Sequence, residues 1–237
     1  MSKSIITPAD VFQIDEDFYS NDSVADALTG ELRWEIATIA NASTYAFQTG
    51  AAAVRNGVLR STTAATADGD GSVIRLFTDG LALDTLGGEF GIRFRYPVEL
   101  ASGNFRFGFQ DSVTATSPVV GLWLDSDAGV LSLQADSANG DVSVAAGQKA
   151  GNQSLTSGTT AVVATWHTAI VKFFGSNANS GPDMATMEVD GIHAGTLRNI
   201  VIGNTETGEL SLAHWQDSGG ADAVAFDVDW VYWLQYR

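Results

Sequence analysis

Apolar and polar residues alternate with a period of two along most of the chain. Phe105, Phe107 and Phe109 are separated by Arg106 and Gly108; just upstream, Ile92, Phe94 and Tyr96 are separated by Arg93 and Arg95. Successive side chains on a strand point to opposite faces, so each run predicts a strand with one buried and one displayed face. Pro97 and Gly103 fall between the two runs and mark a connection. Set side by side as an antiparallel pair, the strands place their phenylalanines beside Ile92, Phe94 and Tyr96, with arginines on both opposite faces.

The same alternation predicts strands near residues 33–38, 46–49, 58–61, 73–78, 119–125, 130–135, 142–145, 162–174, 185–190, 210–215 and 226–236. Asn56-Gly57, Asp79-Gly80, Asn139-Gly140 and Asp190-Gly191 supply residues that tolerate positive φ, and so predict turns. Asp127-Ala128-Gly129 predicts a hairpin. Residues 146–160, rich in Gly, Ser and Thr, read as a long surface loop. Nothing longer than one helical turn, near residues 24–28, shows helical spacing. About a dozen short strands without internal repeats predict an all-β antiparallel sandwich rather than a propeller or β-helix. Residues 1–10, with Pro8 and no alternation, read as an extended arm, and 11–237 as a single sandwich domain.

Composition narrows the classes. The chain has 237 residues, 45% of them hydrophobic and 10% aromatic, which excludes a disordered chain. Twelve basic residues against 28 acidic ones give a net charge of −16, and only three of the basic residues are lysines. A nucleic-acid partner needs clustered cations and is excluded. A membrane partner is excluded for want of an apolar run of about 20 residues. The first residues lack the apolar stretch of a secretion signal, which predicts synthesis in the cytoplasm of the producing cell. Without cysteine there is neither a disulfide nor a thiolate metal site.

Three segments together resemble the concanavalin A-like lectin/glucanase fold, a jelly roll of two antiparallel sheets. They are GEFGIRFRYPVELASGNFRFGFQDS from Gly88, the strand opened by Trp166-His167 followed by MEVDGI from Met187, and FDVDWVYWLQYR from Phe226. Laminin-G-like domains carry a similar Trp-His strand before a Val-Asp-Gly hairpin. The resemblance runs from about Asp17 to the end and implies an architecture, not an activity. The short alternating sandwich without cysteine is also similar in texture to structural proteins of tailed bacteriophages.

Glycosidases of this fold carry E-x-D-x-x-E on one strand. The nearest match is Glu188-Val189-Asp190-Gly191-Ile192-His193, where His193 replaces the second glutamate and Asp190-Gly191 forms a turn, so it reads as an inactive hairpin. The R-x-E and Q-[IV]-H strands of the fold's polysaccharide lyases are absent, and there is no G-x-S-x-G elbow. His167, His193 and His214 lack metal-ligand spacing; Asp68-Gly69-Asp70-Gly71 and Asp125-Ser126-Asp127 read as solvated turn aspartates rather than calcium ligands. No catalytic residue, metal or cofactor is expected.

Sugar recognition needs aromatic faces beside hydrogen-bonding groups. Strict alternation in the last strand turns Phe226, Val228, Trp230, Tyr232, Leu234 and Tyr236 inward, and Asp229 and Trp233 outward. Trp123, Arg93, Arg95 and Arg106 are expected on that same outer face, as an interface or glycan contact. The reading that follows is a non-enzymatic virion protein of a tailed phage, a capsid decoration or cement protein on the outer shell. Its expected partners are the major capsid protein and further copies of itself in a trimer. Its acidity suits the exterior, away from packaged DNA. Lys3, Ile5 and Ile6 of the arm are the expected capsid contacts. The alternatives are a receptor- or glycan-binding head of a fibre or spike, and a glycan hydrolase or lyase.

Overall fold

A computed structural model describes residues 11–18, 28–30, 32–41, 43–48, 57–83, 87–98, 102–111, 118–136, 153–177, 180–198, 200, 202, 207–217 and 223–236. The arm with Lys3, Ile5 and Ile6, the strand expected at 142–145, the Asn139-Gly140 turn and most of the 24–28 turn lie outside the described residues.

The first strands in chain order are β1 (Val11–Glu16), β2 (Leu28–Thr29), β3 (Trp34–Ala40), β4 (Thr44–Gln48), β5 (Val58–Thr62) and β6 (Gly71–Ala82). The middle of the chain forms β7 (Gly88–Arg95), β8 (Gly103–Gln110), β9 (Gly121–Asp127), β10 (Val130–Asp136) and β11 (Gln153–Thr160). The last third forms β12 (His167–Asn177), β13 (Ser180–Val189), β14 (Ile192–Arg198), β15 (Thr207–Gln216) and β16 (Ala225–Tyr236). They build two antiparallel sheets. One has the order β14-β13-β12-β7-β16-β5-β4, with β1 also on β16; the other runs β11-β10-β9-β8-β15-β6-β3-β2.

The two phenylalanine-rich strands are not edge partners. β7 belongs to one sheet and β8 to the other, and their rings meet across the core: Phe94 to Phe105 at 4.6 Å and Phe90 to Phe107 at 5.8 Å between centroids. Tyr96 and Phe226 complete this cluster. Aromatic rings packed face against face bury more surface than the edge-to-edge arrangement read from the sequence. The consequence for the site is direct. Arg93 and Arg95 emerge from one side of the sandwich, and Arg106 from the other.

Strict alternation also fails in β16. Its register on β7 shifts between Val228, opposite Phe94, and Trp230, opposite Arg93, leaving Asp229 as an extra residue. Such a bulge reverses the facing of everything beyond it. Phe226 and Val228 point inward before the bulge; after it Val231 and Trp233 do, while Trp230, Tyr232 and Leu234 turn outward and are half-buried. Trp233, expected outside, has no exposed surface.

Two further expectations are corrected. Asp79-Gly80 is no turn but part of β6, in the stretch where β6 and β15 change register. Residues 153–160 are not loop; Gln153–Thr160 pairs with β10 as an edge strand. Its threonines favour extended backbone, which the Gly and Ser content conceals. The expected hairpins do form. Asp190 (φ 52°) and Gly191 (φ 79°) join β13 to β14, and Ala128 (φ 47°) and Gly129 (φ 80°) join β9 to β10. Alanine carries a steric cost in that left-handed conformation that glycine does not. Ala128→Gly is therefore expected to raise stability by about 0.5–1 kcal/mol, read as a higher denaturation midpoint in urea.

Candidate functional site

The outer face of the β7 sheet carries a closed ionic network. Asp227 is fully buried and accepts from Arg60 Nη2 at 2.8 Å and from Arg95 Nε at 2.8 Å. Arg93 bonds to Asp229, the bulge residue. The guanidinium carbons of Arg93 and Arg95 lie 5.0 and 4.7 Å from the centroid of the Trp166 ring. Arg93, Arg95 and Asp229 are thus brought together, but they satisfy one another, and the full thickness of the sandwich separates them from Trp123 and Arg106.

The opposite outer face is recessed. Alternation on β8 sends Asn104 and Arg106 outward, on β9 Trp123, Asp125 and Asp127, on β10 Gln134, and on β15 Trp215. Although these side chains face away from the core, Asn104, Arg106, Trp123 and Trp215 are each no more than 6% exposed. With Asp217 beyond β15 they line a cavity of about 260 Å³. Register places Arg106 opposite Asp125, Asn104 opposite Trp215, and Trp123 opposite Gln134. The Trp123 ring lies over Gly121, where a Cβ would approach it to 2.8 Å.

Arg106 is held between two indoles, its guanidinium carbon 4.9 Å from the Trp215 centroid and 5.9 Å from that of Trp123. Its Nε lies 3.7 Å from Asp125 Oδ1. Burial lowers the Arg106 pKa from its ordinary value, opposed by Asp125. Burial also pushes the Asp125 carboxyl up to about 6; Arg106 pulls it down, and the charges of Asp127 and Asp217 add to the rise. Trp215 Nε1 donates to Asp217 Oδ1 at 3.2 Å. Asn104 Oδ1 accepts from Ala128 N at 3.0 Å, while its Nδ2 is buried without a partner at the cavity wall.

Because the folded pKa of Asp125 is raised, its protonated form contributes stability below the unfolded value near 3.8, and that contribution is lost as pH rises through about 6. Asp125→Asn is expected to flatten stability between pH 4 and 7, checked by urea midpoints across that range.

Of the sequence candidates, Arg106 and Trp123 belong to this recess. Trp215 and the facing of Asp125 and Asp127 were missed, although their signal was present. Leu122 and Leu124 on the core side force Trp123 and Asp125 onto the other, and Leu210 and Leu212 do the same for Trp215. The aspartates read as loop residues belong to the end of β9.

The other candidates have structural duties. Asp70 is buried and accepts from Asn41 Nδ2, Thr66 N, Thr66 Oγ1 and Ala67 N. Burial opposes its ionisation, but those bonds outweigh it and hold its pKa down at about 2. His167 Nε2 accepts from Val162 N at 2.8 Å, and its Nδ1 meets Asp190 Oδ2 at 2.7 Å. His214 lies in the core, stacked on Phe226, and burial pushes its pKa down to about 3. Glu188 sits on β13, in the sheet opposite the recess.

No family model and no curated protein matches the sequence. Solved structures do match in fold. A protein of unknown function from Shewanella oneidensis superposes with a TM-score of 0.61 at 12% identity, over 100% of this chain and 90% of the other. The endo-1,3-β-glucanase of Streptomyces sioyaensis gives 0.57 at 14% identity over 99% and 100%. A carbohydrate esterase of the Shiga toxin-encoding bacteriophage phi24B gives 0.55 at 17% identity over 94% and 98%. Carbohydrate recognition domains are also among the matches. The chain has the concanavalin A-like lectin/glucanase fold, an all-β jelly roll.

Proposed function

We propose that the protein binds carbohydrate in the recess of the β8 sheet. The observation that carries this reading is the lining itself: two indoles, a buried amide and a buried guanidinium beside half-buried and exposed carboxylates, all on one sheet face. The indoles hold Arg106 in place at the recess, and sugar hydroxyls both donate and accept, which this mixed polar set requires. A virion exterior remains our proposal for the setting, supported by the acidic charge and by a phage protein among the structural matches. A trimer contact through Trp123 and Trp233 loses its basis, since both are buried. Within that setting the glycan-binding head of a fibre or spike suits the recess better than a decoration protein.

The test is a glycan array with the intact protein, followed by Trp123→Ala and Trp215→Ala. Loss of about tenfold or more in affinity in both variants, measured on protein shown by circular dichroism to be folded at the assay temperature, is expected from removing the indole that positions Arg106. Equal binding by both variants rejects the recess. A hydrolase reading draws on Asp125 and Asp127, two carboxylates on one strand face. Release of reducing ends that stops in Asp125→Asn would move the assignment from binding to hydrolysis.

A further inference from the structure

The recess has a definite charge imbalance. Three carboxylates, Asp125, Asp127 and Asp217, line it together with a single cation, Arg106. Asp127 and Asp217 are close enough to Asp125 to oppose its ionisation. Arg106 is already committed to the two indoles and to Asp125. A ligand that brought a further carboxylate or sulfate would add repulsion, strongest beside the half-buried Asp125 and weakened by water beside the exposed Asp127 and Asp217. A ligand that brought a cation would relieve it.

The second observation is Asn104. This side chain is 2% exposed, and its Oδ1 is fixed by Ala128 N, which also fixes which end of the amide carries the donor. Its Nδ2 has no acceptor. A buried amide donor left unmatched is costly, so an acceptor oxygen from a ligand is favoured there. The bond to Ala128 holds Asn104 at the Asp127 end of β9. The site therefore asks for an acceptor oxygen and a positive charge within one small molecule.

Building on the carbohydrate-binding reading, we propose that the recess selects an amino sugar. Its ammonium group faces Asp125, Asp127 and Asp217, and a neighbouring hydroxyl oxygen accepts from Asn104 Nδ2. A hexosamine with a free amine presents those two groups on adjacent carbons. An N-acetylated sugar keeps the oxygen and loses the charge, and a uronic acid reverses the charge.

The experiment compares three probes by calorimetry at pH 7 and moderate salt: the β-1,4 trimer of glucosamine, its fully N-acetylated form, and the trimer of galacturonic acid. The expected result is affinity for the amine trimer about tenfold above that for the acetylated one, as a charge-assisted contact provides. The uronate trimer is expected not to bind. Asp125→Asn and Asp217→Asn should each shrink the amine preference, read as the ratio of amine to acetylated affinity within each variant. Equal affinity for amine and acetylated trimers, or binding of the uronate trimer, overturns the proposal and leaves carbohydrate binding standing if Trp123→Ala still abolishes it. Amine binding that survives both Asp125→Asn and Trp123→Ala is attraction to the acidic surface at large and also overturns the proposal. Failure of every probe and of the whole array rejects the amino sugar together with the binding function.

Discussion

Replacing Trp233 by alanine is expected to destabilise the fold by about 3–5 kcal/mol, the cost of emptying a large buried aromatic site. The ring is stacked on Phe90 at 5.3 Å with 9° between planes, and Phe173 closes it at 5.5 Å. Its Nε1 donates to Gln235 Oε1 at 3.4 Å, and Gln235 Nε2 donates to Ala82 O, so the same ring helps anchor the end of β6. Trp233→Phe keeps most of the packing and should cost less than half as much. Equilibrium denaturation in guanidinium chloride measures both. Had β16 kept strict alternation, Trp233 would stand at the surface and its truncation would cost less than about 1 kcal/mol. The measurement therefore tests the bulge as well as the residue.

Asp227→Ala is expected to cost about 3 kcal/mol, at the lower end for breaking a buried ion pair. The carboxylate is fully enclosed and serves both Arg60 and Arg95; its loss leaves two guanidinium groups facing each other with no anion between them. Their side chains keep 28% and 14% exposure, and water at those edges limits the penalty. Lys172→Ala supplies the contrast. Its contact with Glu89 spans 4.0 Å with the lysine half-exposed, and a pair of that kind is worth about 0–1 kcal/mol. A thermal scan of both variants, repeated at high salt, separates the two regimes: screening affects the exposed pair and leaves the enclosed one nearly unchanged. Equal effects would mean that Asp227 is more accessible than the fold implies.

Period-two patterning exposed the fold class because each strand has one greasy face, and it located most strands to within a few residues. It also separated Trp123 and Arg106 from the core correctly, since Leu122, Leu124, Phe105 and Phe107 leave them no other side. It could not say which strands pair. Alternation is blind to whether Phe94 meets Phe105 along a sheet edge or across a core, and that ambiguity put all three arginines on one face. A bulge leaves no compositional mark either. Asp229 looks like any other outward residue, yet it reverses Trp230 and Trp233. Alternation already set the facing of Trp215, but that it and Asp217 lie beside β8 follows from strand pairing and from the bond of Asp217 N to Ser102 O, long-range contacts carried by no local window.

The order of strands in the sheets also governs when the molecule can form. β16 lies between β7 and β5, and β15 between β8 and β6, so the interior of each sheet is filled by the last two strands described. Until residue 236 has left the ribosome, β7, β8, β5 and β6 all present unpaired edges, and the aromatic cluster lacks Phe226 and Trp233. Folding of this kind is non-local and slow, and the waiting intermediate is prone to aggregate. A ribosome-stalled chain ending before β15 would thus be held by chaperones or lost to inclusion bodies. Removal of β15 or β16 would leave the interior of a sheet open and would not be tolerated.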